Sequence, residues 1–191
     1  MKSIHSLLAD LTSGDDNLAE HAARALAALG EDVIPSLENL LESPDVDTRW
    51  WGLRTLAQLE TPQRDWLIAA LADISTEVRQ CALLGMCLHP DERAIPALVG
   101  LLQDPDAITA DLVVNALIAN AEPAVQPLLD MYESSSTPVK TSIVRALASI
   151  ADSRAIPTLM NALDEDSLTM NFWAEQGLER LGMGMVYLKP E

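Results

Sequence analysis

The sequence predicts an all-α protein, a right-handed superhelix of six helix pairs, and three observations predict it. A proline-marked apolar segment returns about every 30 to 31 residues along the 191-residue chain. Within each copy apolar residues recur three and four apart, the spacing of one helix face, and no stretch alternates as a strand would. Turn residues with capping side chains fall at the same place in each copy.

The first helix of each copy is clearest in RAIPALVGLLQDPD, residues 93–106, and returns as VIPSLENLLESPD (33–45), AVQPLLDMYESSS (124–136) and RAIPTLMNALDED (154–166). Pro35, Pro96, Pro127 and Pro157 mark its register, with Trp66 in the equivalent place of the third copy. Proline near a helix start is expected because its missing N–H costs least there. The turns SPD, DPD and DED then offer Asp and Ser as caps to a second helix. Second helices are read in LAEHAARALAALG (18–30), TRWWGLRTLAQL (48–59), VRQCALLGMCL (78–88), TADLVVNALIANA (109–121), VKTSIVRALASIA (139–151) and MNFWAEQGLERLG (170–182).

A lone helix pair cannot bury its apolar face, so tandem pairs are expected to stack around one continuous core. The reading is one domain over residues 1–191, with repeats at 1–31, 32–61, 62–90, 91–122, 123–152 and 153–182. Residues 183–191 form a C-terminal extension, expected to fold back over the last repeat.

The AIPxLxxLLxDPDxxVR pattern, carried by Ala94 to Asp106 and by Glu77-Val78-Arg79, resembles the HEAT-like repeat of phycobilisome lyase proteins. The resemblance covers essentially the whole chain and implies an armadillo-type solenoid whose second helices line a concave face. It implies too that the Arg of the VR pair ties neighbouring repeats together through acidic turn residues. That Arg is kept at Arg49 and Arg79, is Lys140 in the fifth copy, and is replaced by Ala19, Ala110 and Asn171 elsewhere. Those three junctions are expected to rely more on apolar packing.

In this register three variable positions of each second helix share the implied concave face. They are Glu20, His21 and Arg24; Trp50, Trp51 and Arg54; Gln80, Cys81 and Leu84; Asp111, Leu112 and Asn115; Thr141, Ser142 and Arg145; and Phe172, Trp173 and Gln176. Three of the four tryptophans and the sole phenylalanine fall in these columns, although aromatics make up only 4% of the chain. Aromatics concentrated on one exposed face point to a contact surface. Trp50 and Phe172 are therefore read as anchors, whereas Trp51 and Trp173 fit core packing as well as contact. Arg24, Arg54, Arg145 and Asp111 complete the candidate site. Pairing of Glu20 with Arg24 along the helix, and stacking of Arg54 on Trp50, are equally open to these side chains.

Twelve Lys and Arg against 29 Asp and Glu give a formal charge of −17, which argues against nucleic acid and favours a basic partner. Cys81 and Cys87 lack a companion cluster, and His5, His21 and His89 fall in different repeats, so no metal, cofactor or catalytic centre is read. The acidic turns are read as caps, since none matches a calcium loop. No His-Glu dipeptide of the kind that holds the irons of deoxyhypusine hydroxylase occurs. The sequence is read as having no signal peptide or membrane span, and a cytoplasmic location is expected. The leading functional expectation is a non-enzymatic scaffold for a protein or peptide, with self-association through the aromatic patch as a variant. The alternative is a lyase-like accessory subunit that stacks a bilin on the aromatics and pairs its propionates with arginine.

Overall fold

A computed structural model of the chain describes residues 2–183, so the fold-back expected of the C-terminal extension lies outside the described residues. Among the described residues there are twelve α-helices, three short 3-10 turns and no strand. No described helix is long and apolar enough to cross a membrane. The chain divides into two compact units, Met1–His89 and Pro90–Glu191.

The first unit contains α1 (Ile4–Leu11), α2 (Asp16–Ala27), α3 (Ile34–Leu41), α4 (Val46–Ala57), α5 (Arg64–Ala70) and α6 (Thr76–Leu88). Each odd helix packs on the even helix that follows it, and α4 lies between α2 and α6. Leu11, Leu37 and Leu67 from the first helices meet Leu26, Leu53, Leu56, Leu83 and Met86 from the second, all fully buried. The capping expectation is met at Asp45 and Asp106, whereas Ser167 and not the DED turn caps the helix Leu168–Arg180, and Ser136 makes no side-chain capping bond to the helix Thr137–Ile150. Asp15 accepts from the N–H groups of Asn17 and Leu18, Asp45 from Thr48, and Ser75 from Val78.

The second unit contains α7 (Ile95–Leu101), α8 (Ala107–Asn120), α9 (Glu122–Tyr132), α10 (Thr137–Ile150), α11 (Ile156–Ala162) and α12 (Leu168–Arg180). It repeats the pairing of first on second helices, with α10 packed against both α8 and α12. One boundary departs from expectation. Pro127 sits inside α9, which starts earlier, with Pro123 in its first turn. Ala121 takes a positive φ of 53° between α8 and α9, so the chain turns there without the 3-10 lead-in that precedes α7 and α11.

The second helices approach their neighbours closely where they carry glycine. A Cβ on Gly177 would lie 2.8 Å from both the Cα and Cβ of Ala148, a contact with backbone that no rotamer change can relieve. Gly177→Ala is expected to destabilise the second unit by roughly 1–3 kcal/mol through overpacking. Denaturant unfolding followed by circular dichroism checks this, and an unchanged midpoint would contradict the close approach.

Candidate functional site

The turn edge of the first unit is tied by Arg49, on the face of α4 toward the α3–α4 turn and the turn that follows α5. Its Nε and terminal nitrogen donate to the two carboxylate oxygens of Asp73 at 2.8 and 2.9 Å, and its other nitrogen donates to the Ser43 and Pro44 carbonyls. Lys140 does the same work in the second unit, donating to Glu165 at 3.0 Å. At Asn171 the amide nitrogen, correctly oriented, donates to the carbonyls of Ala162, Glu165 and Ser167. The sixth copy thus keeps a polar tie to its own turn where apolar packing was expected.

Beside this edge a cleft of about 700 Å³ opens between the start of α2 and the exposed face of α4. One wall is aromatic: Trp50 and Trp51 meet edge to face, with ring centroids 4.8 Å apart and planes at 89°. Both rings are half-buried, so the separation of a surface Trp50 from a more buried Trp51 is not pronounced. The lining also includes Thr12, Gly14, Asp16 and Glu20, from the end of α1 into α2, and Asp45, Asp47 and Thr48 from the start of α4.

Arg54 lies 5.7 Å over the Trp50 ring, within cation–π range. It is also gripped by Glu20, 34 residues earlier on α2, through Nε to Oε2 at 2.8 Å and a terminal nitrogen to Oε1 at 3.1 Å. Arg24 adds a third bond to the same carboxylate at 3.1 Å. The two guanidiniums hold the Glu20 carboxyl below the usual carboxylate range, the Arg54 hydrogen bonds contributing most. Two arginines of the expected ligand column are therefore engaged by one acid.

The second unit repeats the arrangement. Arg145 donates to Asp111 at 2.6 Å, again across 34 residues, and to Asn115 at 3.3 Å. Its guanidinium lies 5.7 Å from the centroid of Trp173, which meets Phe172 edge to face at 5.3 Å. Phe172 is 52% exposed and Trp173 half-buried. Sequence reasoning raised the pairing of Glu20 with Arg24, which the structure shows, but missed its bonds to Arg54. The signal was available as an acid 34 residues ahead of an arginine in two separate copies.

The cysteines and histidines gather nothing. Burial pushes the Cys81 thiol up to about 12 and raises that of Cys87, so neither supplies a thiolate at neutral pH. His21 pairs with the Asn17 carbonyl and His89 with that of Ala57. Among the described residues no cluster could hold a metal ion.

The family profile of HEAT repeats matches residues 4–73 and 64–143, and that of the PBS lyase HEAT-like repeat matches residues 139–165. The chain belongs to the HEAT-repeat family. Among solved structures this HEAT-repeat chain is similar to the complex of CpcE and CpcF of phycocyanin lyase from Nostoc sp., at TM-score 0.60 and 24% identity over 75% of this chain and 96% of that one. It is similar too to a designed armadillo repeat protein, at TM-score 0.51 and 19% identity over 94% and 100% of the two chains. Both likenesses are of fold, and they agree with the all-α solenoid class expected from the repeat.

Among relatives, an uncharacterized phycocyanin operon protein Z of Pseudanabaena tenuis is 28% identical over 71% of this chain and 72% of its own length. A phycobilisome maturation protein of Synechococcus elongatus is 32% identical over 60% of this chain and 56% of its own. A bilin biosynthesis protein, RpcF, of a Synechococcus species is 29% identical over 60% of each. The HEAT-repeat chain thus spans between about half and three quarters of these relatives. They overturn the expectation of a general protein- or peptide-binding scaffold, because the relatives with a named role belong to phycobilisome maturation and bilin biosynthesis. A shared helical repeat does not distinguish scaffold from chromophore handling, and aromatics gathered in its variable columns mark a contact surface without naming what is bound.

Proposed function

We propose that this chain is a bilin-handling accessory subunit of the phycobilisome-maturation or lyase type, which holds a linear tetrapyrrole against the aromatic wall of its first unit. The observation that carries the reading is the edge-to-face pair of Trp50 and Trp51 walling a cleft of about 700 Å³. That volume lies within the span usual for small-molecule sites. The two indoles are perpendicular, so an extended conjugated ligand would stack on one ring and meet the other at right angles. The names of the relatives support the same chemistry.

In this reading the chromophore is held without a covalent bond, since neither Cys81 nor Cys87 is among the residues that line the cleft. Phe172 and Trp173, with Arg145 and Asp111, belong in this reading to a contact with a second protein subunit. An exposed aromatic beside a half-buried arginine is the composition found at interface hot spots. The complex of two subunits in the phycocyanin lyase structure supports a subunit partner. Adding biliverdin to the purified protein is expected to shift and sharpen its long-wavelength absorption and to quench tryptophan fluorescence, saturably. An unchanged spectrum at a large excess of protein would overturn the reading.

A further inference from the structure

We infer that Glu20 sets the charge selectivity of the Trp50–Trp51 cleft, so that the ring system of the planar ligand enters it while free carboxylates stay outside. The inference deepens the proposed bilin-handling reading and rests on it. A cleft with arginines in its register would ordinarily be read as a place for propionates, because guanidinium and carboxylate pair through parallel hydrogen bonds. Here that geometry is already used. Arg54 spends its Nε and one terminal nitrogen on the two oxygens of Glu20, and Arg24 donates to the same carboxylate.

An incoming propionate would have to displace Glu20 or share the Arg54 guanidinium with it, and in either case would lie beside that carboxylate. The remaining charges of the lining act in the same direction: Asp16, Asp45 and Asp47 stand around the cleft, and Arg54 is the sole cation among its lining residues. Like charges at such distances raise the cost of bringing in a further anion. What the cleft offers instead is aromatic surface and carboxylate acceptors, which suit the N–H groups of the pyrrole rings. The tie is built into the repeat, since Asp111 and Arg145 make the same 34-residue connection in the second unit.

The experiment compares biliverdin, with two free propionates, with its dimethyl ester, by absorbance and fluorescence titration at neutral pH and low salt. The wild-type protein is expected to bind the ester at least as tightly as the diacid. Glu20→Gln keeps an acceptor for Arg54 but removes the charge, and it is expected to shift the preference toward the diacid by about tenfold. Arg54→Gln leaves the Glu20 charge without its main partner and is expected to weaken the diacid more than the ester. A wild-type preference for the diacid of tenfold or more, abolished by Arg54→Gln, would overturn the inference and leave the bilin reading standing. Failure of wild-type protein to bind either form overturns the bilin reading and this inference with it. Melting curves confirm folding of each variant, and the wild-type comparison decides the matter even if one variant does not fold.

Discussion

Trp50→Ala is expected to weaken biliverdin binding about 30-fold while lowering the stability of the protein by only about 1 kcal/mol. The binding loss corresponds to ~2 kcal/mol, the cost of truncating an aromatic anchor at a contact centre. Trp50 is placed for that role. It meets Trp51 edge to face, Arg54 stands over its ring, and it lines the cleft. The stability cost is set below the ~3–5 kcal/mol of a fully buried tryptophan because the ring is only half-buried. Tryptophan-quenching titrations and thermal melting measure the two quantities separately. A collapse of the melting temperature with unaltered binding would place Trp50 in the core and remove it from the site.

Arg49→Ala is expected to cost ~2–3 kcal/mol of stability, the largest effect of any single polar change on the turn edge. Four hydrogen bonds end on this guanidinium, two on Asp73 and two on carbonyls of the preceding turn. The pair is well shielded, with side-chain exposures of 12% for Arg49 and 14% for Asp73. Loss of the arginine strands a carboxylate and two carbonyls with fewer partners, the circumstance in which an ion pair matters most. The same pair gives a pH signature. Arg49 holds the Asp73 carboxyl below the ordinary carboxylate value, so its contribution is fully present above that value, about 3.9, and is lost as the pH falls through the depressed one. The gap in stability between wild type and Asp73→Asn should therefore be widest near neutrality and close in acid. Urea unfolding at a series of pH values reads this directly, and a gap independent of pH would deny the pair its role.

Much of the fold was legible because its signals are local. The three- and four-residue spacing, Asp45 and Ser75 ahead of α4 and α6, and Pro35, Pro96 and Pro157 in first turns each act within a few residues. Pro127 misled for the same reason. Whether a proline starts a helix or interrupts one depends on the backbone before it, and the positive φ of Ala121 let α9 begin at Glu122. The site was legible only in part. The aromatic columns were visible as a coincidence of register, but the columns gave Arg24, Arg54 and Arg145 the appearance of ligand-facing cations. Arg24 meets Glu20 on its own helix, but the partners of Arg54 and Arg145, Glu20 and Asp111, lie on the neighbouring helix, and only helix packing brings them within hydrogen-bonding distance.

By itself the sequence determined that this chain is a series of paired helices with capped turns, since period, caps and apolar spacing are properties of one helix and its neighbours along the chain. The tertiary structure alone decided which charges cancel and which surface remains. A guanidinium on an exposed face pairs with whatever acid the adjacent helix presents, and that choice depends on how α2 packs against α4 and α8 against α10. A cleft walled by Trp50 and Trp51, with its arginine already engaged, exists only once those helices have met.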